Sequence, residues 1–273
     1  MQISINKDTV LCMSLSGRPG NFGTKFQNFL YRELGLNFIY KAFTTQDIRS
    51  AVGGIRALGI RGCAISMPFK ESCIEFLDEL DPSAQGIMAV NTIVNSDGRL
   101  KGFNTDFTAV LNLLNEGNVA KNVSNFAVLG SGGMAKAVVC ALREAGFKNG
   151  TIVARNQKAG MALADQYGFS WKPELGDETP GLIVNVTPIG MAGGNTSNDL
   201  AFPIHVIEAA EFVFDVVAIP SETPLILCAK KMNKPVISGA EVIVLQALEQ
   251  FELYTGIRPN QEMVDRAAAF ARS

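Results

Sequence analysis

The run Phe126-Ala127-Val128-Leu129-Gly130-Ser131-Gly132-Gly133-Met134-Ala135, continued by residues 136–145, decides the fold. Its apolar residues read as a buried strand, its glycines as a tight turn, and the stretch after them as a helix. A dinucleotide-binding loop needs that order. Glycine allows the turn and the close approach of a pyrophosphate, while the N–H groups and dipole of the helix N-terminus attract the anion. The same glycines would also serve a plain strand-to-helix turn. As a cofactor site, the loop offers Gly130, Ser131, Gly132, Gly133, Met134 and Ala135.

The next strand, over 151–154, bears on which dinucleotide. A protein that holds the ribose hydroxyls of NAD places Asp or Glu about 20 residues past the loop; this strand ends instead in Ala154-Arg155-Asn156. Arg155, with Lys158 close behind, can pair with a 2′-phosphate, which favours NADP over NAD. The plainer alternative for Arg155 is a solvated cation at a strand end.

Outward from the loop, short apolar runs alternate with helical patterns nearly end to end, the signature of β/α units around mainly parallel sheets. Strands are expected over 10–13, 38–42, 62–66, 126–129, 151–154, 182–185 and 213–217, with a short one at 236–237. Helices are expected over 24–34 and 240–254, after Thr44-x-x-Asp47 as a capping-box start, and from Pro68 through Leu77. Ser96-Asp97-Gly98 between two short strands marks a hairpin. A helical stretch follows Asn104-Thr105-Asp106, then a polar break over 116–125. A boundary near Asp106 divides the chain into two α/β domains.

At 273 residues the chain has room for two modest domains, and 47% hydrophobic with 18% charged residues and a net charge of −2 is ordinary globular composition, a poor match to nucleic-acid binding. The only histidine, His205, excludes chemistry that needs two imidazoles, including HExxH zinc sites. Cys12, Cys63, Cys73, Cys140 and Cys228 form no CxxC pair and read as buried thiols of a reducing compartment, so no metal site is expected. Neither a signal peptide nor a membrane-length apolar run is evident, and a cytoplasmic location is the expectation.

With imidazole scarce, proton transfer falls to Lys, Asp, Glu, Tyr or Cys. Lys70, after Ser66-Met67-Pro68-Phe69, lies in the expected first turn of a helix, where the macrodipole disfavours a cation. It is either a functional amine or an exposed lysine paired with Glu71 or Glu75. Asp106 is either a functional carboxylate or a helix N-cap.

The order and spacing of several segments resemble the shikimate dehydrogenase family along nearly the whole chain. They are Ser66-Met67-Pro68-Phe69-Lys70, Ala89-Val90-Asn91-Thr92, Asn104-Thr105-Asp106, the glycine loop, Asn185-Val186-Thr187-Pro188, Phe214-Asp215-Val216-Val217 and Gly239 through Gln246 to Phe251. The resemblance implies an α/β fold with an N-terminal α/β substrate domain, residues 1–106 with 240–273, and a doubly wound Rossmann-type NADP domain, residues 107–239. It puts the active site in the cleft between them. It also implies that Lys70 handles the proton of the reacting hydroxyl and Asp106 positions it, that Ser66, Asn91 and Gln246 contact the substrate, and that Asn185, Thr187, Val216 and Gly239 lie at the cofactor. The expected ligands are NADP, or NAD, and a small cyclic hydroxy acid. A monomer or a homodimer fits this picture, with neither nucleic acid nor membrane as partner.

The pattern breaks at the substrate. Where the family binds the substrate carboxylate with a Ser-x-Ser pair, this chain has Asn21 and Gly23; Ser14, Ser16 or Arg18 are candidate substitutes. Ala218 replaces an expected tyrosine and Phe107 a glycine. The expectation is an enzyme of this type that turns shikimate over poorly, or prefers quinate or an amino analogue. The competing expectation is a non-catalytic metabolite sensor on the same fold.

Overall fold

Strand β1 (Val10–Leu15) alternates faces as a pleated strand must: Cys12 joins one apolar cluster, Met13 and Leu15 another. Such a strand needs cover on both sides. In the computed structural model, which describes residues 5–273, it lies between parallel strands β2 (Phe38–Phe43) and β3 (Gly62–Ile65). The crossover helix α1 (Phe22–Glu33) puts Phe26 and Leu30 into the Cys12 cluster, whereas α2 (Ile48–Ala57) puts Val52 and Ile55 into the other.

The sheet is completed by β4 (Glu79–Leu80), the short helix α3 (Pro82–Gln85), and the antiparallel hairpin β5 (Thr92–Ser96) and β6 (Arg99–Phe103), in the order β2-β1-β3-β5-β6-β4. Asp97 and Gly98 both have positive φ, the tight hairpin turn that Ser-Asp-Gly predicts. Two later helices cover the α1 face: α10 (Gly239–Thr255), through Phe251 and Tyr254, and α11 (Gln261–Arg272), through Val264, Ala267, Ala268 and Ala271. Chain contacts divide the fold into one compact unit that ends at Thr105 and resumes over Val244–Ser273, and a second that spans Asp106–Ile243.

The second unit opens with α4 (Thr105–Glu116) and α5 (Val119–Asn122). Its sheet is wholly parallel: β7 (Asn125–Leu129), β8 (Asn149–Val153), β9 (Ser170–Lys172), β10 (Leu182–Asn185), β11 (Phe212–Asp215) and β12 (Val236–Ser238), ordered β12-β11-β10-β7-β8-β9. Helices α6 (Gly133–Glu144), α7 (Gln157–Tyr167), α8 (Ile204–Ala209) and α9 (Pro224–Lys231) make the connections. Phe126, Ala127 and Val128 are all buried, as a central strand covered on both faces requires. The direction of winding reverses between β7 and β10. Open α/β sheets bind ligands at the carboxyl ends of the strands beside such a switch point.

Several expectations need correction. No α-helix runs from Pro68 to Leu77: the segment is a series of turns ending in one 3₁₀ turn, Ile74–Phe76. The reason is competition for a carbonyl. Val90 N–H donates to the Lys70 carbonyl at 2.8 Å, which a helix would need for Ile74, and Ile74 N–H turns to Glu71 instead. The macrodipole argument for Lys70 therefore does not apply. Helix α2 begins after Asp47, whose carboxylate accepts Ser50 N–H, so Asp47 and not Thr44 is the cap. Asp106 lies inside the first turn of α4 and is no N-cap. Four of the five free thiols are buried, but Cys228 is only half-buried.

Candidate functional site

At the end of β7, Gly130 has a φ of +120°, and a Cβ there would lie 2.8 Å from Val186 Cγ2, so both conformation and space demand glycine. Gly132 and Gly133 differ: a Cβ on either meets nothing within 4 Å, which leaves the start of α6 open to an incoming group. A cavity of about 980 Å³ opens at this point, lined by Gly130, Ser131, Gly132, Arg155, Thr187 and Ile189, among others. Its volume lies at the upper end of the range for cofactor sites, roughly 300–1,000 Å³. Arg155 sits exposed where β8 ends, and no carboxylate lines the cavity. Lys158 lies around a smaller neighbouring cavity of about 350 Å³, with Ser131, Lys136 and Asn156.

Beneath this rim lies a buried polar network. Asp215 is fully buried; its Oδ1 accepts from Asn185 Nδ2 and Val217 N–H, both at 3.0 Å, and its Oδ2 from Thr223 Oγ1 at 2.6 Å. Asn185 Oδ1 in turn accepts the Thr187 N–H and hydroxyl at 3.0 and 2.6 Å. Asn185 is thus a support for the loop that carries Thr187, with no exposed surface of its own. Burial pushes the Asp215 carboxyl upward, and the three hydrogen bonds oppose the shift. Because the folded-state value lies above the ordinary 3.8, the contribution of this group to stability is complete below that pH and is lost as pH rises through the folded value. Thr223→Val removes the hydroxyl donor and, at neutral pH, should cost about 1.5–3 kcal/mol in urea denaturation, with a smaller loss once Asp215 is protonated. A loss below about 0.5 kcal/mol at both pH values would discard this role for Thr223.

Gly239, at the start of α10, is enforced by backbone. A Cβ would stand 2.3 Å from the Val216 carbonyl oxygen, so the end of β11 and the first turn of α10 meet only through glycine.

In the other unit, Asn91 precedes β5 with its side chain buried: Oδ1 accepts Thr105 N–H and the Thr92 hydroxyl, each at 2.8 Å, and Nδ2 donates to Thr105 Oγ1 at 3.0 Å. Gln250, one helical turn after Gln246, links α10 to this network: Nε2 donates to Thr92 Oγ1 at 3.0 Å and to Gln246 Oε1 at 3.2 Å. The sequence reading missed Gln250. Its four-residue spacing from Gln246 was the available signal. Lys70 is half-buried, and its backbone is joined to Val90 just before Asn91. Ser66 is exposed at the end of β3, where its N–H donates to the Leu15 carbonyl. Asp106 is buried directly after Thr105.

Around the start of α1, Asn21 is exposed, Gly23 and Ser14 are half-buried and Ser16 is buried. His205 is exposed on α8 and lines neither of the two cavities. Burial drives Cys12 and Cys73 up to about 12, so at neutral pH they are thiols and poor nucleophiles. Among the described residues, no group of three or more His, Cys, Asp or Glu side chains could hold a metal ion, and no helix is long and apolar enough to cross a membrane.

Residues 22–93 match the family model for the shikimate dehydrogenase substrate binding domain. Over 269 residues the chain is 59% identical to a shikimate dehydrogenase-like protein of Haemophilus influenzae, covering 98% of this chain and 99% of that one. A solved shikimate 5-dehydrogenase-like protein superposes with a TM-score of 0.95 at 58% identity, over 99% of this chain and 100% of that one. The shikimate 5-dehydrogenase of Thermus thermophilus, solved in complex with NADP(H) and shikimate, superposes with a TM-score of 0.85 at 29% identity, over 96% of this chain and 99% of that one. A likeness that runs through both sheets and nearly every residue leaves one assignment: this chain belongs to the shikimate dehydrogenase family.

Proposed function

We propose that the protein is an NADP-dependent oxidoreductase that interconverts a shikimate-like cyclic hydroxy acid and the corresponding ketone. The observation that carries this reading is the cavity at the β7/β10 switch point, where a glycine loop and Arg155 stand together with no carboxylate. The open space at Gly132 and Gly133 and the obligatory glycine at 130 suit a dinucleotide pyrophosphate. When bound, the nicotinamide supplies or accepts the hydride.

In this reading Gly130, Ser131 and Gly132 hold the pyrophosphate against the start of α6, and Arg155 pairs with the 2′-phosphate. Asn185 fixes the Thr187 loop, while Gly239 lets α10 start against Val216 beside the cofactor. Lys70 takes the proton of the reacting hydroxyl during oxidation and returns it during reduction, and Asp106 orients Lys70 and the substrate. Asn91 has one Nδ2 hydrogen beyond its bond to Thr105, enough to donate to a ring hydroxyl. Gln246, held by Gln250, offers a second polar contact.

The test is absorbance at the nicotinamide band with NADP or NAD and a panel of shikimate, quinate and aminoshikimate. Nucleotide binding without reduction by any of the three would leave a metabolite-binding protein and sink the enzymatic reading. Arg155→Ala should lower the preference for NADP over NAD by about 10-fold, the value of one charge-assisted hydrogen bond. Equal preference before and after the change would remove Arg155 from the 2′-phosphate.

A further inference from the structure

Val186, Thr187, Pro188 and Ile189, which follow β10, form one wall of the large cavity; Asp215 does not line it and lies fully buried at the end of β11. The hydrogen-bond directions between them are forced. Asn185 Oδ1 faces the Thr187 N–H, an obligate donor, so its Nδ2 must point the other way, to the Ile189 carbonyl at 3.1 Å and to Asp215 Oδ1. One amide thus holds both Thr187 and Ile189, and the carboxylate holds that amide. Val217 N–H brings the segment after β11 to the same carboxylate oxygen. On the other side, Thr223 Oγ1 accepts Ile226 N–H at 3.2 Å as the cap of α9 and gives its own hydrogen to Asp215 Oδ2. Gly190, next after the wall, packs on this cap: a Cβ there would stand 3.3 Å from Thr223 Cβ and Pro224 Cδ.

Three donors therefore converge on Asp215, an arrangement that suits the ionised carboxylate. A neutral carboxyl would have to put its hydrogen on Oδ2, against a Thr223 oxygen that already accepts Ile226 N–H. Thr223 would then turn its own hydrogen away in a site with no exposure. The bond from Asn185 would also lose its charge assistance, which makes such bonds roughly twice as strong as neutral ones. Among the described residues, β10 meets Asp215 with Asn185, β12 with Ser238 and the α9 start with Thr223, none of them titratable. Glu222 and Glu241, the ionisable side chains next along those segments, are exposed and bonded to Lys230 and Ser238.

We propose that Asp215 is a positioning residue for the large cavity: through Asn185 its carboxylate holds the 186–189 wall in the form that receives a dinucleotide, and loss of the charge weakens binding without unfolding the protein. The proposal rests on the function proposed above and adds a control to it, since nucleotide binding becomes linked to the ionisation of a residue outside the cavity. Burial raises this carboxyl above 3.8, so binding should be strongest above the folded value and weaken as pH falls through it. The contribution of Asp215 to stability changes with pH in the opposite sense, which separates the two roles.

The experiment titrates NADP calorimetrically into wild type, Asp215→Asn and Thr223→Val from about pH 5 to about pH 9, with thermal melting alongside. A phosphate monoester titrates near pH ~6, so the difference between proteins, and not the raw profile, is the readout. Asp215→Asn, the isosteric neutral form, should melt cooperatively, bind about 10-fold more weakly than wild type at the alkaline end and match it at the acid end. Binding to wild type should release protons near the folded value of Asp215, and this release should be missing from Asp215→Asn. Thr223→Val keeps the carboxylate but loses a bond that favours its charged form. Its affinity change should move to higher pH, with the alkaline affinity within about 3-fold of wild type, and this holds as a test even if Asp215→Asn does not fold. Equal affinities and profiles in wild type and Asp215→Asn would overturn the proposal, as would affinity that falls only where the melting temperature falls, or an unmoved midpoint in Thr223→Val. Any of these alongside normal turnover would refute the positioning role and leave the oxidoreductase. The expected pH shift in a protein that oxidises no panel member would do the reverse, and wild type that binds neither NADP nor NAD would overturn both.

Discussion

Replacing Lys70 with alanine is expected to lower turnover of the cyclic hydroxy acid by about 10²- to 10⁴-fold, the range for loss of a positioned acid–base group. The loss should fall on kcat, with NADP affinity unchanged. The backbone at this position is held independently of the side chain: the Lys70 carbonyl takes Val90 N–H, and the Ser66 carbonyl takes Phe69 N–H at 2.9 Å. Truncation thus removes the amine and leaves its mount. No imidazole can take over, since the one histidine is exposed on α8. A small primary amine added to the assay should therefore restore part of the rate to Lys70→Ala but none to wild type. A variant with the wild-type rate would remove Lys70 from the mechanism.

The double substitution Asn21→Ser with Gly23→Ser should raise kcat/KM for shikimate by about 10- to 100-fold, as one well-made hydrogen bond to a carboxylate would. The fold has room for it. The atoms nearest a Cβ on Gly23 are those of the Tyr40 ring and hydroxyl, at 3.6–3.9 Å, which is ordinary contact. Position 21 is an exposed N-cap, where serine is as acceptable as asparagine. The gain should appear with shikimate and be absent with its methyl ester. An unchanged or lower kcat/KM for the acid would show that the altered first turn of α1 is not what limits this substrate.

Where backbone and side-chain periodicity are local, the sequence reading succeeded. The strand-glycine-helix unit at Phe126, the Asp97-Gly98 hairpin and the apolar stripe of α1 each follow from a few adjacent residues. It failed where a distant group decides. The carbonyl of Lys70 is taken by Val90, twenty positions away, and a helix that local signals favour gives way to turns. Helix α11 was missed because its buried face is mostly alanine, a stripe with little contrast to its polar side. Edge strands β4 and β9, of two and three residues, are too short for period-two alternation to register.

The candidate site divides in the same way. Gly130 and Arg155 are legible because chemistry and spacing coincide. Gln250 emerges only once α10 is packed on its neighbours.

The chain has a single tryptophan, Trp171, on β9. Its indole N–H donates to the Ala154 carbonyl at 3.1 Å, and its ring packs so closely on Gly160 that a Cβ there would lie 2.3 Å away. Ala154 is the residue before Arg155, and both line the large cavity together with Pro173. The fold has thereby mounted its one strong intrinsic fluorophore against the wall of the large cavity. Emission from Trp171 can follow occupancy of that cavity by optical titration, with no substrate present and no labelling. The nucleotide binding proposed above could then be tested independently of any activity, in wild type and in Lys70→Ala alike.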